Sequence, residues 1–340
     1  MLFSTLSSRW SRALGWRSAD RKQPEHEQSE GKTVSQQRLV HIVDDVPELR
    51  RRSENAQGPV LLIALEGFLD AGNASALAVS HLIAQDQGRV VASFDVDELH
   101  DYRARRPPMG FMENRYTDFE APRLAVRLAH DAQGTSFLLM SGPEPDIRWE
   151  AWARAVREVV DTFGVRLQIS MGSVPMAVPH TRPVMLTNHA TAQRLLTHEN
   201  LWSAELRIPG SAQALLELRM GEWGHDSMGF VAHIPHYLAQ FDYPEASVSL
   251  LTAIGEASGL VWDLSPLHEA STQRRSEINQ QIANSGEVRD VVAGLEQQYD
   301  AFEAGRAGNL LADDEPLPSG DELGAQFEQF LAELDDKPED

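Results

Sequence analysis

"GPVLLIALEGFLDAGNASALAVSHLIA", residues 58–84, contains the pattern that decides the fold. It begins with an unbroken apolar run from Val60 to Leu65, which is typical of a parallel strand that is buried on both faces. A Gly-rich turn follows, and from Ala74 to Leu82 the apolar residues recur at helical spacing. A buried strand, a turn and a helix in this order predict one βα unit of an α/β domain.

The region that follows repeats this alternation. Strand patterns occur in RVVASFDVDEL (89–99), RLAVRLAHDAQGTSFLLMSG (123–142, two strands joined near Gly134), VRLQISMG (165–172), RPVMLTNH (182–189) and MGFVAHIPHYL (228–238, breaking at Pro235). Helical patterns occupy 148–163, 210–220 and a stretch from Pro244 to Gly259. We therefore predict an α/β fold, a three-layer αβα domain over residues 38–264. A helical extension at 265–312 would pack on this domain or on a second subunit.

The two ends of the chain differ in charge. Residues 1–37 form a basic leader with apolar residues at helical spacing, and it is either disordered or an amphipathic helix on a membrane surface. Residues 313–340 form a tail with eleven carboxylates against the single Lys337. This tail is either a solubilising, partly disordered terminus or an acidic interaction segment. In the second case the helical anchors would be Phe327, Phe330, Leu331 and Leu334.

Composition excludes several classes of function. The 340-residue chain carries a formal net charge of -21, and such an acidic chain repels phosphate backbones, so we expect no nucleic-acid partner. It contains no cysteine, which excludes disulfides, thiolate metal ligands and cysteine nucleophiles and suits the cytoplasm, where we expect it. No apolar run approaches the roughly 18 residues of a transmembrane span, so we predict none.

The segment GPEPD, residues 142–146, places Glu144 and Asp146 directly after an apolar strand. In open α/β sheets, ligands bind beyond the carboxyl ends of the strands. The two prolines favour a rigid turn, and the step into the next helix predicts Asp146 as its N-cap. Glu144 has no comparable structural role in the sequence, and we predict that its side chain points into a crevice at the strand ends.

Two further loops follow strand ends. Asp70 and Asn73 lie in EGFLDAGNASA, where they either cap the next helix or help its N-terminus bind an anion; no phosphate-loop pattern is present. Asp95 and Arg105 lie in DVDELHDYRARRPPMGF, residues 95–111. The arginine could clamp a carboxylate or phosphate, or these charges could neutralise one another on an ordinary loop.

Three more polar residues complete the predicted pocket. His180 and Arg182 lie in VPHTRP, and His236 lies in HIPHYL beside His233. Pro235 argues against a helix that would align the last two rings on a metal, so we predict no metal site and no cofactor, and no catalytic residue can be named. The full candidate ligand pocket comprises Asp70, Asn73, Asp95, Arg105, Glu144, His180, Arg182 and His236.

Six segments occur in this order along the chain: GFLDAGNA, FDVDELHDYRARRP, FLLMSGPEPDIRWEAW, GSVPMAVPHTRP, IPGS and HIPHYLAQFDYPEA. Together they resemble the proteasome assembly chaperone 2 family, in a bacterial, actinobacterial-type branch of uncharacterised members. The resemblance implies a three-layer, nucleoside-phosphorylase-like αβα fold. It also implies kinship with proteins that help assemble proteasome α-subunit rings, although some bacterial members are labelled ATP-dependent carboligases. It transfers no catalytic residue.

Two functional hypotheses follow. The first is a non-enzymatic assembly or scaffold protein that forms homo-oligomers and binds a proteasome-related or other protein. The second is a small-molecule binding protein or an enzyme that acts on a nucleotide or a carboxylate. Such an enzyme could be an ATP-dependent carboligase. In that case Arg105 and Arg182 would bind an anionic group in the strand-end crevice, and Glu144 would act as a general base.

Overall fold

Ten strands and seven helices are present in the described part of the chain, which comprises residues 38–50, 58–67, 69–196, 207–283 and 286–309 of a computed structural model. The strands are β1 (Val40–Ile42), β2 (Val60–Glu66), β3 (Arg89–Phe94), β4 (Gly110–Met112), β5 (Arg115–Thr117), β6 (Ala125–His130), β7 (Ser136–Pro143), β8 (Leu167–Met176), β9 (Leu186–Ala190) and β10 (Ser227–Pro235). The helices are α1 (Pro47–Arg50), α2 (Ala74–Gln85), α3 (Trp149–Phe163), α4 (Ala212–Glu222), α5 (Pro244–Ser258), α6 (Ser265–Ala283) and α7 (Gly286–Asn309). The predicted leader and acidic tail lie outside these ranges.

Eight of the strands form one sheet in the order β1-β3-β6-β7-β2-β8-β10-β9. The four adjacent strands β7, β2, β8 and β10 are parallel, whereas β9 and the strands beyond β7 join through antiparallel pairs. The apolar run in β2 therefore lies at the centre, where Leu61, Leu62 and Ile63 are fully buried. The strand that the sequence pattern predicted to be buried on both faces is confirmed.

Helices cover both faces of the sheet. Alternate β2 side chains face opposite layers: Leu62 packs in a core with α2 and α5, and Ile63 packs in a second core with α3 and α4. Trp152 on α3 is completely buried in the second core. The predicted three-layer αβα fold is thus confirmed, with a core on each side of the central sheet.

The predicted helical extension is also present. Helix α6 packs against α5, and α7 packs against α6. Leu267 and Ile278 of α6 are buried in the core that contains α2 and α5. Across the described ranges, the helices are too short or too polar to cross a membrane.

A small hairpin formed by β4 and β5 was not predicted from the sequence. It is a separate two-stranded sheet in which Phe111 pairs with Tyr116, and their rings meet edge to face with centroids 5.2 Å apart. Large apolar side chains on and beside it are each more than half exposed; they are Met109, Phe111, Met112, Tyr116 and Phe119. We call these five side chains the hairpin surface.

Candidate functional site

One edge of the sheet collects the carboxyl ends of β7, β2, β8 and β10. Strand β3 ends at the same edge because it is antiparallel to β6, which is antiparallel to β7. The topology therefore brings to one edge the predicted pocket residues that follow these strands, which are Asp70, Asp95, Glu144, His180 and His236. Their contacts divide them, however, and most of these contacts are structural.

Arg105 is the centre of a polar cluster at the ends of β2 and β7. Its guanidinium donates hydrogen bonds to the main-chain oxygens of Glu66 and Glu144. Its Nη2 also lies 2.8 Å from Asp146 Oδ1. Arg105 thus joins the ends of the two central strands to the loop that contains it.

Asp146 is held from three directions. In addition to Arg105, its Oδ2 accepts a 2.7 Å hydrogen bond from the main-chain N–H of Asp101 and lies 3.5 Å from His100 Nδ1. Burial alone would raise the pKa of Asp146. The hydrogen bonds from Arg105 and Asp101 and the nearby positive charge outweigh burial, so its pKa is lowered. Asp146 is therefore an ionised structural anchor.

The prediction that Asp146 caps the following helix is wrong. Helix α3 begins after Arg148, which has a left-handed backbone with a φ of 58°, and no side chain caps the helix there. Asp146 lies two positions before Arg148, and its main-chain N–H donates to Leu99 O. The carboxylate consequently faces Arg105 and not the first turn of α3.

Glu144 has the structural role that the sequence did not reveal. Its Oε1 accepts a 2.7 Å hydrogen bond from the main-chain N–H of Ala212, the first residue of α4 and 68 positions away. A Cβ on Gly67 would lie 2.4 Å from Glu144 Oε2, so glycine is required there for the carboxylate to pass. The expectation that Glu144 is uncommitted and points into a crevice is therefore corrected: it helps to cap α4.

An open cavity of about 380 Å³ lies beside this cluster. Its walls are Glu66 and Pro143 at the ends of β2 and β7, His100, and the two stems of the hairpin at 105–108 and 120–123. Of the eight predicted pocket residues, Arg105 alone lines this cavity. The sequence interpretation missed Glu66, His100, Arg106, Glu120 and Arg123, although the prolines at 107, 108 and 122 signalled rigid walls.

Asp70 and Asn73 lie at the start of α2, where the sequence left capping and anion binding open. Asp70 accepts hydrogen bonds from the main-chain N–H groups of Ser75 (2.6 Å) and Ala76 (3.1 Å). Burial raises its pKa, and these hydrogen bonds oppose the rise. Asn73 instead donates to Asp242 Oδ1 at 2.6 Å. Asp70 is the capping residue, and its carboxylate occupies the N–H groups that an anion would need.

His180 is buried and links two parts of the domain. Its main-chain N–H donates to the Tyr237 hydroxyl, whose oxygen lies 2.8 Å from His180 Nδ1, and its Nε2 lies 3.1 Å from Asn279 Oδ1 on α6. All these contacts are satisfied when the tyrosine hydroxyl donates to Nδ1 and Nε2–H donates to the asparagine. This arrangement makes His180 a structural bridge between the strand ends and α6.

Arg182 extends the same attachment to α7. Its Nε and Nη2 donate to both carboxylate oxygens of Asp300, at 2.7 and 2.6 Å. Its Nη1 also donates to Glu296, which accepts from Thr181 as well. This bidentate geometry is the one expected for recognition of a carboxylate, but here the carboxylate belongs to the chain itself.

The two remaining predicted pocket residues, His236 and Asp95, do not line the cavity. His236 is exposed and its ring contacts Tyr237, whereas His233 is buried, with its pKa lowered to about 4 by burial. The H-x-x-H pair therefore does not share one environment. Asp95 is half-buried after β3, and its main-chain N–H donates to Leu39 O. Over the residues that the structure describes, no three His, Asp or Glu side chains are grouped to hold a metal ion.

Comparisons with known proteins agree with this architecture. A protein of unknown function from Mycobacterium tuberculosis is 41% identical over 86% of this chain and 96% of its own, with a TM-score of 0.76. A protein of unknown function from Corynebacterium glutamicum is 35% identical over 78% of this chain and 98% of its own, with a TM-score of 0.73. A proteasome-assembly chaperone homologue from M. tuberculosis is 25% identical over 68% of this chain and 99% of its own, with a TM-score of 0.64.

Among curated proteins, none matches the sequence. The sequence profile of the PAC2 family matches residues 64–282, which begin near the end of β2 and include the later strands through β10 and nearly all of α6. Because this match covers more than half of the chain, and because the relatives above share its fold over most of their own length, the resemblance noted in the sequence is confirmed. The chain belongs to the PAC2 family.

Proposed function

We propose that this chain is a non-enzymatic assembly or scaffold protein that acts through protein contacts. The observation that carries the proposal is the hairpin surface. A two-stranded hairpin of this size is marginally stable alone in water, and exposed apolar patches usually mark interaction sites. Five large exposed apolar side chains on and beside one short hairpin are therefore best explained by a protein partner.

The polar residues support the same proposal. Glu144 helps to cap α4, Asp70 caps α2, and Arg182 pairs with Asp300. Side chains with these structural tasks are poorly suited to act as a general base or a substrate clamp. The similarity to a proteasome-assembly chaperone homologue makes proteasome-related proteins the favoured partners.

Three further features belong to this proposal. The protein would form homo-oligomers, bind no nucleic acid because of its acidity, and work in the cytoplasm. The domain at 38–264 would be the scaffold, and the helical extension at 265–312 would complete it. Leader 1–37 and tail 313–340 would be accessory segments outside the scaffold.

A paired substitution on the hairpin tests the proposal. Affinity capture from the native host would use the parent chain, the Phe111→Ser/Tyr116→Ser variant and a matched control, Leu218→Ser, which removes an exposed apolar side chain from α4. We expect the parent and the control to recover the same proteasomal or other identified partner in equal amounts. The hairpin variant should recover at least about tenfold less of that partner. Equal recovery by all three proteins would contradict a role for the hairpin.

The cavity favours a second candidate function, binding of a small anionic molecule. Its volume falls in the usual range for ligand sites, and Arg106 and Arg123 on its rim make no ion pair or hydrogen bond through their guanidinium groups to other described residues. Thermal-shift measurements with nucleotides, phosphate and dicarboxylates would test it, with the Arg106→Gln/Arg123→Gln variant as the control. A ligand-induced rise in Tm that the variant loses supports a ligand site. The absence of any shift across the panel counts against it.

A further inference from the structure

The hairpin surface lies in a locally basic part of an acidic chain. Residues 103–123, which include both strands of the hairpin and its stems, contain five arginines, of which Arg105 is paired with Asp146, and three carboxylates, in a chain whose net charge is -21. Two of the five exposed apolar side chains are methionines, and flexible thioethers adapt well to apolar partners. The surface therefore suits a partner that is both acidic and apolar.

The chain itself contains a segment with this chemistry. Residues 321–336, which we call the acidic segment, contain six carboxylates and no lysine or arginine. Its apolar residues Phe327, Phe330, Leu331 and Leu334 are spaced three and four positions apart, as on one face of a helix. Amphipathic helices with this spacing bind apolar grooves through their buried face. The acidic segment lies outside the described residues.

The positions of α7 and the hairpin make the contact reachable within one chain. Helix α7 is attached through Asp300 to Arg182, in the loop after β8, and the hairpin stems border the ends of β2 and β7. These strands are neighbours in the sheet, and adjacent strands lie about 4.8 Å apart.

The intervening chain is long enough. From Asp300, α7 continues to Asn309, about 14 Å along the helix axis at about 1.5 Å per residue. The residues between Asn309 and Asp321 can extend a further 40 Å or so, at about 3.4 Å per residue. This reach exceeds the separation of a few strands along the same edge.

We propose that the acidic segment docks on the hairpin surface of its own chain, with its phenylalanines and leucines against the apolar side chains and its carboxylates near the arginines. The docked segment would cover the apolar side chains of the hairpin surface. The inference goes beyond the proposed function and does not depend on it, because the contact needs no second protein.

Disulfide trapping in the full-length protein tests the contact. The chain has no cysteine, so an introduced pair is the only pair that can react. One variant would combine Asn114→Cys, at the exposed turn of the hairpin, with Gln329→Cys in the acidic segment. The matched control would combine Gln133→Cys with Gln329→Cys, because Gln133 lies in the exposed turn between β6 and β7, at the opposite edge of the sheet.

We expect the first pair to form an intramolecular disulfide at least about tenfold faster than the control pair, because docking raises the effective concentration of the two thiols. Adding Phe327→Ser and Phe330→Ser to the first variant should reduce its rate to that of the control. These serine changes lie in the tail, and circular dichroism of each variant would verify that the domain is folded.

Two results would overturn the proposal. Equal rates for the two cysteine pairs would show that the acidic segment has no preference for the hairpin. A predominantly intermolecular disulfide, with a rate that rises with protein concentration, would show that the segment of another copy is the occupant. Either result would leave partner capture by the hairpin, the test of the proposed function, to be judged separately.

Discussion

The two ends of the strand edge differ in how the chain covers them. After β8 and β10, helices α6 and α7 cover the edge, held by polar contacts from His180 and Arg182. After β7 and β2, the described structure has an open cavity and a hairpin that exposes its aromatic residues. The same edge is thus closed by directed polar bonds on one side and left open beside apolar surface on the other.

This difference teaches that polar residues at strand ends need not form a binding site. The carboxylates and cations at the covered end bind one another across elements that are distant in sequence. The hairpin surface, which is exposed in the described structure, consists of apolar side chains that suit binding and not acid–base catalysis. Substitutions at each end test whether the two ends are held independently.

The largest effect is expected where the hairpin stem crosses β7. Gly142 has a φ of 132°, and a Cβ there would lie 2.0 Å from the main-chain oxygen of Arg123. Gly142→Ala should lower the free energy of unfolding by about 3 kcal/mol, through backbone strain and overpacking together. Gly134→Ala is the control, because Gly134 also has a positive φ but its Cβ would meet open space. Denaturant unfolding measures both, and equal losses would contradict the close crossing.

A smaller effect is expected at the covered end. His180→Ala should cost about 2 kcal/mol, because it removes a buried ring and leaves Tyr237 and Asn279 without their hydrogen-bond partner. Amide exchange in α6 should become faster as well. The exposed His236 provides the matched control, and His236→Ala should stay within about 0.5 kcal/mol. If α6 exchanges at the same rate in both variants, His180 does not attach it.

The smallest effect appears only in acid. The pKa of Asp146 is lowered in the folded chain, below the roughly 3.9 of an unfolded aspartate, so the unfolded chain takes up the proton first as the pH falls. The stabilisation by this carboxylate is therefore fully present above the unfolded pKa and is lost as the pH falls through the folded pKa. Asp146→Asn should flatten the decline in stability below about pH 4. Unfolding measured between about pH 2 and 6 would contradict this if the two pH profiles were parallel.

Much of the fold could be predicted from the sequence because burial leaves a strong pattern. The apolar run in β2 and the helical periodicity of α3 depend on residues that are close together in the chain. The hairpin was missed because its strands have three residues each, and the charges around them dominated the interpretation. Phe111 and Tyr116 on either side of Glu113-Asn114 were the signal that could have revealed it.

The roles of the polar residues could not be predicted in the same way. Glu144 finds its partner at Ala212, and Arg182 finds its partner at Asp300, and nothing in the local sequence marks either contact. Asp70 is the exception, because the main-chain N–H groups that donate to its carboxylate lie only five and six positions ahead, and capping was among the alternatives. The role of a polar residue could therefore be predicted when its partner is close in the sequence, whatever the chemical type of the residue.

The strand order also sets the order in which the chain can fold as it is synthesised. Strand β2 is made early, yet Leu61 must pair with Leu138, and Val60 must pair with Leu167. Strand β8 in turn pairs with β10, which is made later still. Such non-local pairing slows folding and leaves the edges of apolar strands uncovered on the nascent chain. A protein built around its earliest long strand therefore stays exposed to aggregation until most of its domain has left the ribosome.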